Sequence, residues 1–338
     1  MASGDNRYEI VLQNSIYLRE LAARVTLEDS LDEIACRANI ELVGNEDLRE
    51  LSPGQEIRIS GTPFGGTNMA YLLHPGVVWE AARSRRGIER QEITVYEKTI
   101  YLAKSEDEYL FPAGQSASQR LKQYASDWQL PVADIADTEI PLAKAVYRSQ
   151  SIYSMMMADL KETAMKGGDM FRVRMSENGI RLIRLGSNEQ VWMLEDGGNV
   201  EESETKQTLE GVVTQVKVLG VREQNDGWSE AENELPLPVV AVEKGDTASY
   251  GTLQKVMQMD KQQTTAEAVK AARGMISGVK ESMSVTAIDI NTLRAGDLVQ
   301  VNGAKLLVVS VRHEFGTPGH MQLELSSAEE VRRKYYYD

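Results

Sequence analysis

Few side chains in this 338-residue chain have the types and spacing that chemistry needs. There is one cysteine, Cys36, and there are three histidines, His74, His313 and His320. A single thiol builds neither a disulfide framework nor a cysteine metal cluster. His313 and His320 flank Gly316-Thr317-Pro318-Gly319, a turn composition, so a hairpin would bring them near each other. A metal there would need a further ligand such as Glu314 or Glu324, and a plain hairpin is the simpler reading. Asp134, Asp137 and Glu139 cluster after Pro131, and Glu106, Asp107 and Glu108 form a run. Glycoside hydrolysis needs two carboxylates at a fixed gap across a cleft. In so acidic a chain these groups read instead as solvated faces. The sequence contains no nucleophile elbow, Walker loop, zincin motif or Cys-x-x-Cys. Gly65-Gly66 lacks the lysine and helix start of a phosphate cradle, and His74-Pro75-Gly76 reads as a turn. No catalytic, cofactor-binding or metal-ligating residue is assigned, and no cofactor is expected.

The composition points the same way. Thirty-seven Lys and Arg against 51 Asp and Glu leave a formal charge of −14. Such a chain is not built to clamp nucleic acid phosphates, because that binding runs on Lys and Arg. Apolar residues at 42% and charged residues at 26% are globular values. No run approaches 18 apolar residues, and Met1–Arg7 lacks the apolar stretch of a signal peptide, so synthesis and retention in the cytoplasm are expected. Arg83, Arg85, Arg86 and Arg90 form a basic cluster in this acidic background. It reads equally as a solvated strand edge or as a contact for an acidic partner subunit.

The elements that would position any site are mostly strands. Tyr8–Leu12 is a short apolar run. Ile34, Cys36, Ala38, Ile40 and Leu42 alternate with Ala35, Arg37, Asn39 and Glu41, the period of a half-buried strand with Cys36 inward. Ile57 and Ile59 alternate likewise, and Val77–Ala82, Glu92–Tyr96 and Thr99–Lys104 are strand-like. Gly61–Met69 is a loop by composition. Ser116 and Gln119 predict a capping box, followed by a helix burying Ala117, Leu121, Tyr124, Ala125 and Trp128 and stopped by Pro131. A second helix follows Ser151 with Ile152, Met155, Met156 and Leu160 on one face, so the Met155-Met156-Met157 run reads as core. Asn178-Gly179 marks a hairpin between Phe171–Met175 and Ile180–Leu185. Leu194–Lys206 and Arg222–Glu234 read as acidic loops and as candidate partner contacts. Thr264 and Glu267 predict another capping box, with Val269, Ala272, Ile276 and Val279 inward. Strands are expected over Leu209–Val221, Ser284–Ile290, Leu298–Val301, Lys305–Val311 and Met321–Leu325, with a turn at Asn302-Gly303. The tail from Ser326 to Asp338 reads as a surface helix or an arm docked on a neighbour.

One pattern repeats. Leu51-Ser52-Pro53-Gly54-Gln55-Glu56-Ile57-Arg58-Ile59-Ser60-Gly61 matches Leu293-Arg294-Ala295-Gly296-Asp297-Leu298-Val299-Gln300-Val301-Asn302-Gly303. Both read as a tight glycine turn, a strand with two inward β-branched residues, and a second turn. The pair is either a chance recurrence of a common turn-strand-turn form or the mark of two related β-barrel domains with an inserted α+β domain between them.

Several runs resemble baseplate hub proteins of contractile phage tails, in particular the hub family of defective Bacillus-type prophages and phage-tail-like bacteriocins. They are Thr99–Ser105, Ala117–Leu121, Leu130–Thr138, Ser151–Met156, Tyr250–Gln254 and Leu293–Asp297. The resemblance runs from about residue 95 to 325. It implies a structural protein without an active site, α+β but mostly β. The expected parts are a first tube-like barrel over 1–111, a small α+β domain over 112–193 and a second tube-like barrel over 194–338. The family forms a homotrimer, so two barrels per chain give a ring of six that adapts a trimeric spike to a hexameric tail tube. Closing such a ring needs strand edges that pair between neighbours. The implied partners are the tail tube protein, the spike, other baseplate proteins and the tape-measure protein, with no membrane and no specific nucleic acid. An acidic conduit would also repel phosphate. The implied location is a tail or tail-like particle assembled in a bacterial cytoplasm. The competing expectations are a tail-associated cell-wall hydrolase and a barrel that binds a small ligand; with four Phe and four Trp, no aromatic lining for the latter is evident.

Overall fold

Alternation of apolar and polar residues dominates the chain, and strands dominate the structure. The computed structural model describes residues 7–44, 51–86, 88–221, 236–259 and 263–337. They fall into two compact units, one holding residues up to Glu204 together with Met283–Tyr336, the other centred on Thr205–Ser282.

The first unit is built on one large sheet. Its N-terminal strands are β1 (Tyr8–Leu12), β2 (Ile16–Tyr17), β3 (Ala22–Ser30), β4 (Arg37–Val43), β5 (Glu56–Gly61), β6 (Ala70–Arg86) and β7 (Ile88–Glu97). A small α+β portion follows. It comprises α1 (Ile100–Lys104), β8 (Glu106–Phe111), α2 (Ala117–Asp127), β9 (Val132–Ile135), β10 (Ala145–Ser151), α3 (Ile152–Met165), β11 (Phe171–Ser176) and β12 (Gly179–Arg184). The chain then returns to the large sheet through β13 (Trp192–Leu194) and β14 (Val200–Thr208). Three strands of the second unit come next, β15 (Gln215–Leu219), β16 (Val239–Lys244) and β17 (Gln254–Gln258). The large sheet is completed by β18 (Lys280–Ile288), β19 (Leu298–Val301), β20 (Ala304–Glu314) and β21 (His320–Ser326). Its order is β14-β18-β21-β20-β3-β4-β7-β6-β5-β1-β2, with β19 beside β20 and β13 beside β19.

The expected mostly-β class holds, with a change in how the strands close. Among the described residues the ladders follow an open path rather than two closed barrels. The reason is the pairing of β20 with β3, Ser310–Glu314 against Thr26–Ser30, which merges the two halves into one sheet. One face of that sheet is apolar. Val25, Leu27, Ile40, Leu42, Ile93 and Val95 form one buried cluster, and Val285, Ala287, Val311, Leu323 and Leu325 form another. A third cluster holds the α+β portion, with Phe111, Leu121, Tyr124, Ile152, Met155, Met156 and Leu160 in it. Both capped helices start where the sequence places them. Ser116 and Gln119 cap each other reciprocally, and the Ser151 side chain accepts from the Ser154 N–H. Asn178-Gly179 turns β11 into β12. The Gly179 backbone has φ +124°, and a Cβ there would lie 2.2 Å from the Pro131 carbonyl oxygen, so only glycine fits.

Several local expectations fail. Thr99–Lys104 is not a strand; Ile100–Lys104 is one short helical turn that buries Ile100 and Leu102. Its β-branched start imitates a strand, and packing overrides propensity. Leu194–Lys206 is not a loop, because β14 runs through most of it as the terminal strand of the sheet, its edge rich in glutamate. His74-Pro75-Gly76 is an irregular stretch inside β6, where the register against β5 shifts, and not a turn. The tail, by contrast, takes the helical form of its two expected ones, Ala328–Tyr336, and docks on its own chain, with the Tyr336 hydroxyl donating to the Phe171 carbonyl at 2.7 Å. Arg222–Glu234 lies outside the described residues.

In the second unit, β15 pairs antiparallel with β16 and parallel with β17. The helix Thr265–Met275, capped by Thr264 and Glu267, packs on Val216 and Val218. Its fully buried residues are Ala268 and Ala272, and the helix ends before Val279, so the inward stripe sits one residue earlier than the sequence spacing predicts at its start.

Candidate functional site

The internal repeat is real in the backbone. Gly54 and Gly296 both take left-handed backbone, φ +90° and +87°. The Gly54 N–H donates to the Val78 carbonyl at 2.8 Å and the Gly296 N–H to the Val308 carbonyl at 2.7 Å. Val78 N–H returns to the Gln55 carbonyl and Val308 N–H to the Asp297 carbonyl, each at 2.9 Å. Side chains repeat too: the Ser52 N–H donates to Gln55 Oε1 and the Arg294 N–H to Asp297 Oδ2, both at 2.9 Å. Ile57, Ile59, Val299 and Val301 are all buried.

The second copy of this turn is part of a buried charge cluster. Asp29 on β3 is its centre. Arg172 of β11 donates Nη2 to Asp29 Oδ1 at 2.6 Å, and Arg294 donates Nε to Oδ2 at 2.8 Å. Arg172 Nη1 at 3.3 Å and the Ala295 N–H at 3.1 Å add contacts to Oδ2. Arg294 also donates Nη2 to Glu97 Oε1 at 2.8 Å, and Arg174 reaches Asp297 at 2.9 Å. Burial alone would raise the Asp29 carboxyl, but the Arg172, Arg294 and Arg174 guanidiniums outweigh it and hold it well below the usual carboxylate range. Burial works to lower Arg172 and Arg294, yet both are held above their ordinary value, Arg172 chiefly by Asp29 and Arg294 by the Glu97 and Asp29 carboxylates. Burial lowers Arg174. The cluster therefore ties the N-terminal strands, the α+β portion and the repeated turn together. Its groups are spent on one another, so its role is positioning.

Cys36 sits beside it, fully buried, and burial pushes its thiol well up. The native chain should resist iodoacetamide until denatured, as followed by intact mass; labelling at the rate of a free thiol would contradict that burial.

The opposite face of the sheet is polar. Cross-strand register lines up Arg312, Glu28, Arg37 and Tyr96 across β20, β3, β4 and β7. Glu28 accepts from both Arg312 and Arg37. Arg24 pairs with Glu314 at 3.0 Å, and Thr94 donates to Asn39 at 3.3 Å. Two shallow depressions of about 530 and 350 Å³ lie along this face. Glu80, Glu92 and Glu324, all exposed, add carboxylates beyond those paired with arginine.

The residues whose types suggested chemistry do not converge. His313 and His320 point to different surroundings although their strands pair. His313 is buried, with Nδ1 2.6 Å from Asp289 and Nε2 2.9 Å from the Leu293 carbonyl. His320 is half-buried and 3.0 Å from Glu201. No group of three metal-ligating side chains exists among the described residues. Asp137 accepts from the Ser118 hydroxyl and the Glu139 N–H, both at 3.0 Å, and these hydrogen bonds lower its carboxyl, the wrong direction for a general acid. Asp134 is 3.6 Å from Arg181 on an exposed surface. Met155 and Met156 are core. In the basic cluster Arg83 pairs with Glu89 at 2.6 Å, and Arg90 pairs with Glu41. The side chain of Arg86 lies outside the described residues.

The chain is similar to two proteins of Bacillus subtilis (strain 168). It is 27% identical over 248 residues to the uncharacterized protein YqbQ, covering 68% of this chain and 73% of that one. It is 25% identical over 244 residues to the phage-like element PBSX protein XkdQ, covering 69% and 72%. Its fold is similar to that of the prophage MuSo2 43 kDa tail protein from Shewanella oneidensis, with a TM-score of 0.72, 12% identity, and 96% and 99% of the two chains covered. A sequence model described as YQBQ-like matches residues 25–326. The chain belongs to the YQBQ-like family, and its fold is that of a phage tail protein.

Proposed function

We propose that this protein is a baseplate hub, a homotrimeric adaptor between a hexameric tail tube and a trimeric spike. The observation that carries the reading is the duplicated turn and strand set joined into one sheet. A chain with two equivalent halves presents six of them in a trimer, which meets a sixfold tube on one side and a threefold spike on the other. We place the parts at 1–111, 112–193 and 194–338, supported by apolar clusters centred on the N-terminal strands, the α+β portion and the returning C-terminal strands, with Thr205–Ser282 a unit of its own inside the last part.

In this reading the polar face of the sheet lines the central channel. Over β20, β3 and β4 its arginines are matched by Glu28 and Glu314, and Glu80, Glu92 and Glu324 add carboxylates nearby, so this stretch offers little cationic purchase to a passing tape-measure protein or DNA. The partners are the tube, spike and other baseplate proteins, without membrane or specific nucleic acid binding. The protein acts through assembly and not through an active site, in a particle put together in a bacterial cytoplasm. The commitment of Asp137 to hydrogen bonds that lower its carboxyl counts against the hydrolase alternative.

Native mass spectrometry tests the proposal. A mass near three times 37.6 kDa is expected. A single-chain mass at every concentration would count against the hub and make peptidoglycan cleavage the next assay.

A further inference from the structure

The halves of the large sheet repeat each other strand by strand. The run β3-β4-β7-β6-β5 has its counterpart in β14-β18-β21-β20-β19. The correspondence reaches single residues. The irregularity between Val78 and Glu80 in the β6–β7 ladder recurs between Val308 and Ser310 in the β20–β21 ladder. Beyond it, Ala81 opposite Ile93 matches Val311 opposite Leu323.

One joint breaks the repeat. Past its irregularity β20 turns its free edge to β3 and pairs antiparallel over Ser310–Glu314. The equivalent stretch of β6 pairs with β7 alone, because its ladder with β5 ends at Val77. The equivalent of β3 is β14, which ends the sheet with β18 as its sole neighbour. Two edges that meet within the chain at one place are both bare at the matching place.

We infer that the bare edge of β6, from Trp79 to Arg86, pairs antiparallel with β14 in a second copy of this chain. The inference rests on the trimer reading and assigns its contact. The new joint would repeat the β20–β3 joint between copies, so that the sheet runs unbroken from chain to chain. The contact is head to tail, the kind that closes into a ring. Charge fits the pairing: β6 brings Arg83 and Arg85, and β14 brings Glu201, Glu202 and Glu204. Arg85, Glu202 and Glu204 have no hydrogen-bond or ion-pair partner among the described residues. The same charges oppose pairing of like edges, acidic with acidic or basic with basic, which long bare edges otherwise invite.

The test is charge reversal with rescue, read by native mass spectrometry and light scattering of the full chain. Arg83→Glu with Arg85→Glu should weaken self-association roughly tenfold or more, and Glu202→Lys with Glu204→Lys should do the same. All four positions are on exposed strands, so far-UV circular dichroism should not change. Combining the four reversals in one chain should restore the oligomer. An oligomer that survives each pair of reversals unaltered, or one that the combined variant fails to regain, would overturn the edge contact and leave the trimer standing. A wild-type chain that stays monomeric throughout would overturn both.

Discussion

Replacing Asp29 with alanine is expected to cost about 3–5 kcal/mol of stability, because it strips the shared partner from two buried guanidiniums. Arg172 and Arg294 would keep some acceptors, the Ala295 carbonyl for one and the Leu72 carbonyl and Glu97 for the other. Their positive charges, however, would face each other with no anion between them. The loss should spread, since Asp29 is on β3, Arg172 on β11 and Arg294 in the repeated turn. Urea unfolding should show a lower midpoint, and limited proteolysis should cut near Arg294 first. The pH dependence tells charge from packing. The folded Asp29 pKa is below its unfolded value of about 3.9, so its contribution is fully present above that pH and is lost as pH falls through the folded value. The gap between wild type and Asp29→Asn should therefore stay flat from pH 8 to about 5 and narrow below about pH 4. A gap constant down to acid unfolding would show that the aspartate acts by shape alone.

That cluster was not legible in the sequence, whereas much of its scaffold was. Capping boxes and hairpin turns depend on residues two to four apart, so Ser116, Thr264, Asn178-Gly179 and Asn302-Gly303 announce their structures. The alternation of Ile57 and Ile59 announces β5 in the same way. Asp29 and Arg172 are 143 residues apart, and Asp29 and Arg294 are 265 apart. No local pattern spans such gaps. Alternation gives no warning either, since Phe171, Val173 and Met175 form one face of β11 by pattern. Arg172 on the other face is just as buried, and its partner comes from another part of the chain. The repeat was legible as a motif, yet its consequence was not. The sequence form of Leu293–Gly303 shows a second turn and strand, but the merging of both halves into one open sheet depends on which edges meet.

A second large loss is expected from Arg120→Met, again about 3–5 kcal/mol near neutral pH, with the opposite pH signature. Arg120 is fully buried in α2 and donates Nη1 to Asp159 of α3 at 2.6 Å. It also donates to the Ala143 and Pro112 carbonyls and lies 5.0 Å from the Phe111 ring. Methionine restores most of the apolar contact, so the charge is what the variant removes. Asp159 would then keep only the Tyr147 hydroxyl at 2.7 Å and the longer Tyr124 contact at 3.5 Å. Burial already raises the Asp159 carboxyl above its ordinary value, against the pull of Tyr147 and Arg120. Without the guanidinium it should rise further. A carboxyl raised in the folded state takes up its proton on folding, so acid favours the variant and the deficit should shrink as pH falls toward 5 and grow toward pH 8. Asp29 and Asp159 thus shift stability in opposite directions with pH, one lost in acid and the other relieved by it. The double variant Arg120→Met, Asp159→Asn removes both charges and keeps an acceptor for Tyr147. It should recover most of the loss, because a neutral buried pair costs far less than a single buried charge. Denaturant midpoints of the single and double variants at pH 5 and pH 8 check both claims. Equal deficits at the two pH values would show that Arg120 holds α2 to α3 by contact rather than by charge.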